Sequence, residues 1–193
     1  MIGGALLLLT LIGLAAGCKL HVIDTTVQCS LRLRAIHGEY FQFAAENSGA
    51  GPLETPISHG GVMEFASTNA PAHYYFRALL NRYGVRPEDL TCPNDSRRPA
   101  PSAQALANSN ISYFISLDPA NRIEVLAGDR NISTLSGTNL LLSPATAAWQ
   151  PSFGLHGREG NIAFADGSVK KLNTTNLVAR LKSLQAIPKV MLP

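Results

Sequence analysis

A histidine beside a carboxylate is general-base chemistry. His156 and Asp166, with nine residues between them, are the pair in this chain that invites that reading. Their spacing argues for another role. Residues Gly160–Ala165 read as a strand that runs directly into Asp166-Gly167, the strongest two-residue hairpin signal in the sequence. Aspartate is favoured in such a turn because its carboxylate accepts from nearby backbone amides and because it tolerates left-handed backbone. His156 falls in the loop before the strand, within reach of that loop or of Asp166. A structural clamp is therefore the leading expectation, ahead of a metal site using Asp166 and Asp129 and ahead of catalysis. The sequence has no Gly-x-Ser-x-Gly, no His-Glu-x-x-His and no phosphate-binding glycine loop. No catalytic residue is assigned, and the protein is not expected to be an enzyme.

Asp129-Arg130 is a second charged pair. The planar guanidinium of Arg130 suits a two-point contact with a carboxylate, and Asp166, Asp95 or loop carbonyls are its expected partners. The chain has three cysteines, Cys18, Cys29 and Cys92. An odd number leaves at least one unpaired or modified in an exported protein. There is no Cys-x-x-Cys, which argues against a zinc ribbon or a dithiol redox motif. A Cys29–Cys92 bridge is compatible with the sequence, but spacing does not decide it. Tyr40, Phe41 and Phe43 fit core positions better than a ligand cage.

Net charge is +3, and the basic residues are scattered, with only Arg97-Arg98 and Lys170-Lys171 as pairs. Nucleic-acid binding, which needs a clustered basic face, is not expected. Charged residues make up 15% of the chain, below the usual quarter, partly because nothing charged occurs through Cys18.

Residues Ile2–Gly17, IGGALLLLTLIGLAAG, have Thr10 as their only polar side chain. As a helix they would reach roughly 24 Å, short of a full bilayer unless the helix continues through Leu20 and Val22 with Lys19 snorkelling. Three readings compete: a retained helical anchor, a cleaved signal peptide, and a lipoprotein signal Leu14-Ala15-Ala16-Gly17 before a lipid-modified Cys18. The retained anchor is preferred. Residues 1–22 are thus expected to be a hydrophobic anchor or signal, and residues 23–193 a single head domain.

Asp24, Thr25 and Thr26 offer helix caps, and Val27, Leu31, Ala35, Tyr40, Phe43 and Ala44 recur near helical spacing up to Asn47-Ser48-Gly49. A helix is expected over 25–47, with Gly38 weakening its middle. Residues 48–70 read as loop, and a second helix is expected from Pro71 to Arg82, stopped by Gly84. Alternation over 111–126 about Asp118-Pro119-Ala120-Asn121 predicts a hairpin. Residues 127–155 read as mostly loop with a short strand at 139–142. Strands follow at 160–165 and 168–172, then a last helix capped by Asn173 or Thr174. The fold class expected is α+β: an N-terminal hydrophobic helix continuing into an amphipathic one, packed on a small antiparallel, meander-like sheet, with a loop-rich insertion.

Four stretches together resemble the bacterial prepilin-type proteins with a His-x9-Asp-Gly signature, relatives of the type II secretion pseudopilins. They are Cys29-Ser-Leu-Arg-Leu-Arg-Ala-Ile36 with Tyr40 to Gly49; Cys92-Pro93-Asn94-Asp95; Tyr113-Phe114 with Gly128-Asp129-Arg130-Asn131; and His156 through Asp166-Gly167. They occur in the family's order and span roughly residues 27–172. The front departs from the pattern: Thr10-Leu11-Ile12 is followed by Gly13 instead of Glu, and no basic leader precedes it. The resemblance implies a pilin-like head on a single-pass anchor through residues 2–17. The head would lie on the periplasmic side of the inner membrane and act by contact with other pilin-like subunits or secretion machinery. It implies no cofactor beyond the calcium that major pseudopilins hold in a C-terminal loop, and no dense run of oxygen ligands is present here for it. An exported or Cys18-lipidated binding domain on the same fold is the alternative.

Overall fold

A computed structural model describes residues 24–65, 70–80, 84–133, 139–151 and 154–193. The apolar segment 2–17 and Cys18 lie outside the described residues, and the expectations placed on them are not addressed by it. No helix among the described residues is long and apolar enough to cross a membrane.

The first helix, α1, spans Thr25–Glu46. Asp24 caps it by accepting from the Thr26 amide at 2.9 Å. Asn47 closes the other end by donating its backbone N–H to Phe43 and Ala44, and Ser48 and Gly49 then turn the chain through left-handed backbone. The bounds agree with the predicted helix, but the phase of its first turns does not. Its buried stripe is Cys29, Leu33, Ile36, Tyr40 and Phe43, spaced alternately by four and three residues, while Val27 and Leu31 are about half exposed. The predicted stripe over-weighted two aliphatic residues and passed over a cysteine, whose bond to a distant loop fixes the rotation of the helix.

A second helix, α2, spans Ala72–Leu79. It is shorter than predicted because Leu80 adopts extended backbone, and Leu80 is buried there. The sheet strands are β1 Tyr113–Ser116, β2 Val125–Asp129, β4 Asn139–Leu141, β6 Glu159–Phe164, β7 Val169–Asn173 and β8 Lys189–Met191. They form one sheet in the order β4-β8-β1-β2-β6-β7 with every pairing antiparallel. A separate ribbon pairs β3, Ile132–Ser133, with β5, Ala148–Trp149. Asn173 accepts from the Asn176 amide at 2.8 Å and starts the last helix, α3, Thr174–Lys182.

The structure is thus α+β with an antiparallel sheet, and two hairpins, β1-β2 and β6-β7, lie where the alternation placed them. It is not a simple meander: the C-terminal strand β8 inserts between β4 and β1. That strand, and the short ribbon, were not foreseen. The Asp166-Gly167 turn is also one residue longer than the two-residue type. Phe164 and Ser168 still pair, leaving Ala165-Asp166-Gly167 as the loop, with Gly167 in the left-handed region at φ 82°.

The sheet separates two cores. On one face α1 lies across β2, β6 and β7, with α2 beside it, and Leu33, Ile36, Tyr40, Phe43, Phe76, Tyr113, Ile115 and Leu126 meet there. On the other face α3 and the ribbon cover Phe114, Val125, Ile162, Phe164 and Val190 with Leu177, Leu181 and Trp149. Strand β1 is buried on both sides, which explains why its alternation of polar and apolar residues does not become an inside and an outside.

Candidate functional site

Residues from all four resembling stretches meet at one place, where the first turns of α1 pass over one end of β2 and β6. Cys29 of α1 and Cys92 of the loop before β1 form a disulfide, their Cα atoms 5.3 Å apart and both residues fully buried. The bridge ties the helix to the strand-rich half of the chain across a sequence separation of 63.

His156 lies against this disulfide. Its Nε2 is 3.4 Å from Cys92 Sγ and 3.5 Å from Asp129 Oδ2, and its Nδ1 is 3.3 Å from Asn94 Nδ2. With the Asn94 amide donating to Nδ1, Nε2 carries the ring proton and faces Cys92 Sγ, and the Asp129 carboxylate lies 3.5 Å from it. Asp129 closes β2 on the α1 side, opposite Tyr113 of β1. Its Oδ2 accepts from the Asn161 backbone N–H at 2.6 Å and from Asn161 Nδ2 at 3.0 Å. Its Oδ1 is buried without a hydrogen-bond partner among the described residues.

Burial governs both titrations. It pushes the Asp129 carboxyl up to about 7, against the Asn161 donors that favour the anion. It pushes the His156 imidazole below its ordinary value, with Lys171 acting in the same direction. The pair therefore rests as a neutral imidazole beside a carboxyl that holds its proton to near neutrality.

The second half of the knot is an ion pair. Arg130 leaves the end of β2 and grips Asp95 with Nε on Oδ2 and an Nη on Oδ1, both at 2.8 Å. Ser112 Oγ donates to the same Oδ2 at 2.8 Å, and the Arg130 backbone N–H donates to the Ser112 carbonyl. Asp95 itself sits in a turn: its N–H donates to the Cys92 carbonyl at 2.9 Å, and Pro93 supplies the preset backbone of the turn's second position. Burial raises the Asp95 carboxyl, but the Arg130 fork, Ser112 and the Arg97 amide together outweigh it and hold the group below the usual range. Asn131 Nδ2 donates to the Gly157 and Glu159 carbonyls and so holds the chain that carries His156. At Gly128, a Cβ would strike the Phe114 ring and the Asn161 carbonyl, so this position of β2 admits only glycine without a shift.

Of the predicted residues, His156, Cys92, Pro93, Asp95, Gly128, Asp129, Arg130 and Asn131 are brought together. Asp166 and Gly167 are not among them. They occupy the far end of β6, a strand of six residues or roughly 20 Å. There Asp166 accepts from the Ser168 amide at 2.9 Å. Of the two contacts expected for His156, with its loop or with Asp166, the second is not made, because β6 is extended and keeps its two ends apart; Asp129 lies beside the imidazole instead. The histidine near Asp166 is instead His37 of α1, with Nε2 3.1 Å from the Ala165 carbonyl. A metal site joining Asp129 to Asp166 is excluded by the same separation. The expected Arg130 fork is made to Asp95.

The residues not foreseen are Asn161, Asn94 and Ser112. A polar side chain at an inward position of a strand was the available signal for Asn161; Ser112 lies one residue before β1, and Asn94 lies inside the Cys92-Pro93-Asn94-Asp95 stretch itself. Among the described residues one cluster presents three metal-ligating atoms within 4.8 Å of one another: the two bridged sulfurs and His156. Among the described residues, cavities lie elsewhere, along the β5–α3 surface by Trp149 and Arg158 and beside Tyr74, Phe65 and Ile57. Comparison with family models, curated proteins and solved structures finds no match to this chain.

Proposed function

We propose that this protein is a membrane-tethered, pseudopilin-like component of a bacterial envelope, structural or secretion-associated, that works through contacts and not through turnover. One observation carries the reading. Parts of four sequence stretches that resemble the prepilin-type signatures converge on a single buried knot, and most of its polar side chains hold chain segments together. Arg130 and Asp95 engage each other, Asn131 holds the His156 loop, and the disulfide fastens α1 to the loop before β1. His156 and Asp129 face a buried disulfide and not a cleft, which is the arrangement of a clamp. The long α1, packed along the sheet, supports the same reading, since a helix that emerges from a membrane anchor needs a stripe of this kind to seat its head. The inner membrane is the proposed location, with residues 2–17 as the anchor and the head on the periplasmic side. The partners are other pilin-like subunits or secretion machinery, with no cofactor assigned.

The Leu14-Ala15-Ala16-Gly17-Cys18 stretch favours a second reading, a lipid-anchored binding domain on the same fold. Intact mass of the protein extracted from membranes of its own host separates the two. A mass near the full 20.6 kDa supports the retained helical anchor. A chain starting at Cys18 with added acyl mass supports the lipoprotein. Recovery only from the cell interior, with no membrane or envelope fraction, overturns both.

A further inference from the structure

The buried sulfurs and His156, which the clamp brings together, are also a set of metal-ligating atoms. We propose that reduction of the Cys29–Cys92 disulfide converts this knot into a binding site for a zinc-type divalent cation, held by Cys29 Sγ, Cys92 Sγ, His156 Nε2 and the Asp129 carboxylate. This inference is independent of how the head is used in the envelope.

The geometry is the argument. A tetrahedral zinc site with Zn–S of about 2.3 Å and Zn–N of about 2.0 Å places its ligand atoms roughly 3.5 to 3.8 Å apart. Cys92 Sγ and His156 Nε2 are already 3.4 Å apart, and the two sulfurs and the imidazole nitrogen all lie within 4.8 Å of one another. Once the S–S bond is open, rotation of two cysteine side chains supplies the remaining separation. Asp129 Oδ2 is 3.5 Å from the same imidazole nitrogen and Asp129 Oδ1 is buried without a partner among the described residues; the carboxylate lies outside the 4.8 Å set, so its side chain must turn towards the sulfurs to take the fourth position. Two thiolates, an imidazole and a carboxylate suit zinc and its surrogate cobalt and suit calcium poorly.

The chemistry balances with a dithiol or phosphine reductant. Two electrons break the S–S bond and two protons give two thiols: a dithiol supplies both and leaves as its disulfide, while a phosphine supplies the electrons and leaves as its oxide, with water giving the oxygen and the two protons. Binding of the cation then releases both thiol protons, and the proton of the Asp129 carboxyl where it is still held, to solvent. The imidazole changes tautomer: Nε2 gives up its proton to become the ligand and Nδ1 takes one. The Asn94 side-chain amide turns over so that its oxygen accepts from Nδ1, fixing the ring from behind as outer partners of metal-bound histidines do.

The test uses the full chain in detergent with Cys18→Ser, so that no third thiol competes. Under oxygen-free conditions with a phosphine reductant, cobalt(II) is titrated and the thiolate-to-cobalt charge-transfer band is followed. One equivalent should bind with the intensity of two thiolates, zinc should bleach the band, and the disulfide form should give none. His156→Ala should weaken cobalt binding by more than the roughly ten- to hundredfold that loss of a ligand's outer hydrogen-bond partner costs, and Asp129→Asn by at least about tenfold. His156→Gln serves as a second variant if the alanine does not fold. A reduced chain that unfolds and refolds on zinc addition also supports the site, since metal binding is then folding free energy. The proposal is overturned if the reduced, folded chain gives no band. It is also overturned if the histidine variants bind as tightly as the parent, if the disulfide form binds equally well, or if a reduced, unfolded chain stays unfolded with zinc.

Discussion

Arg130 and Asp95 meet in a two-point contact, both bonds 2.8 Å, with the carboxylate fully shielded from solvent and the guanidinium nearly so. The pair joins the end of β2 to the loop that carries Cys92. Removing one partner strands the other in a buried place, which is the costly way to break such a pair. Arg130→Ala and Asp95→Ala should each lower stability by about 3–5 kcal/mol in urea unfolding. Arg130→Lys keeps the charge but loses the fork, and should recover only part of that. A loss below 1 kcal/mol in either alanine variant would show that the contact is not what holds the loop.

The same pair predicts an acid limb. The Asp95 carboxyl is held below its ordinary value of 3.8 in the folded protein. Its contribution is therefore complete above the unfolded value and is lost as pH falls through the folded one. Melting temperature of the parent should fall steeply as pH drops below about 4. Asp95→Asn, less stable at neutral pH, should converge towards the parent in that range. A constant gap between the two from pH 7 to pH 3 would contradict this assignment of the limb.

The disulfide closes a loop defined by a sequence separation of 63. In the chain-entropy account this restricts the unfolded state by about 4 kcal/mol. Cys29→Ser with Cys92→Ser should lower stability by roughly that amount, or by 2–5 kcal/mol allowing for the usual spread. Non-reducing peptide mapping of the parent should recover the Cys29 and Cys92 peptides joined. Free thiols at both positions in protein isolated without reductant would refute the pairing.

The sequence carried the local fold and missed the long-range one. Helix α1, hairpins β1-β2 and β6-β7 and helix α3 were legible because each is set by caps, alternation or a turn within a few residues. Strand β8 was not, because Lys189-Val190-Met191 becomes a strand only by pairing with β1 and β4, which are distant along the chain. The site was half legible for the same reason. The resembling stretches named His156, Asp129, Asp95 and Arg130, but nine residues of spacing suggested His156 and Asp166 as partners, and an extended β6 keeps them apart. Asp129 becomes the partner of His156 through the β2-β6 register, which no local pattern encodes. The phase error in α1 has a similar origin: Val27 and Leu31 look like core residues until the bond from Cys29 sets which side of the helix faces the sheet.

Two glycines give opposite predictions from similar substitutions. Gly160, the second residue of β6, has no room for a side chain, since a Cβ there would overlap the ring of Trp149 from the neighbouring ribbon. The indole is buried, and it packs with the core beneath α3. Gly160→Ala must therefore displace either the ring or the strand, an overpacking cost of about 1–3 kcal/mol. Because β6 also carries Asn161, the displacement should reach Asp129 and shift the amide resonances of both residues. Gly38 lies in the exposed middle of α1, and a Cβ there meets nothing within 4 Å. Gly38→Ala should stabilise by about 1 kcal/mol, the difference in helix propensity, and should leave the knot unchanged. Equal melting temperatures for Gly160→Ala and the parent would mean that the ribbon does not pack on β6 as described. A loss of stability in Gly38→Ala would mean that this face of α1 is covered.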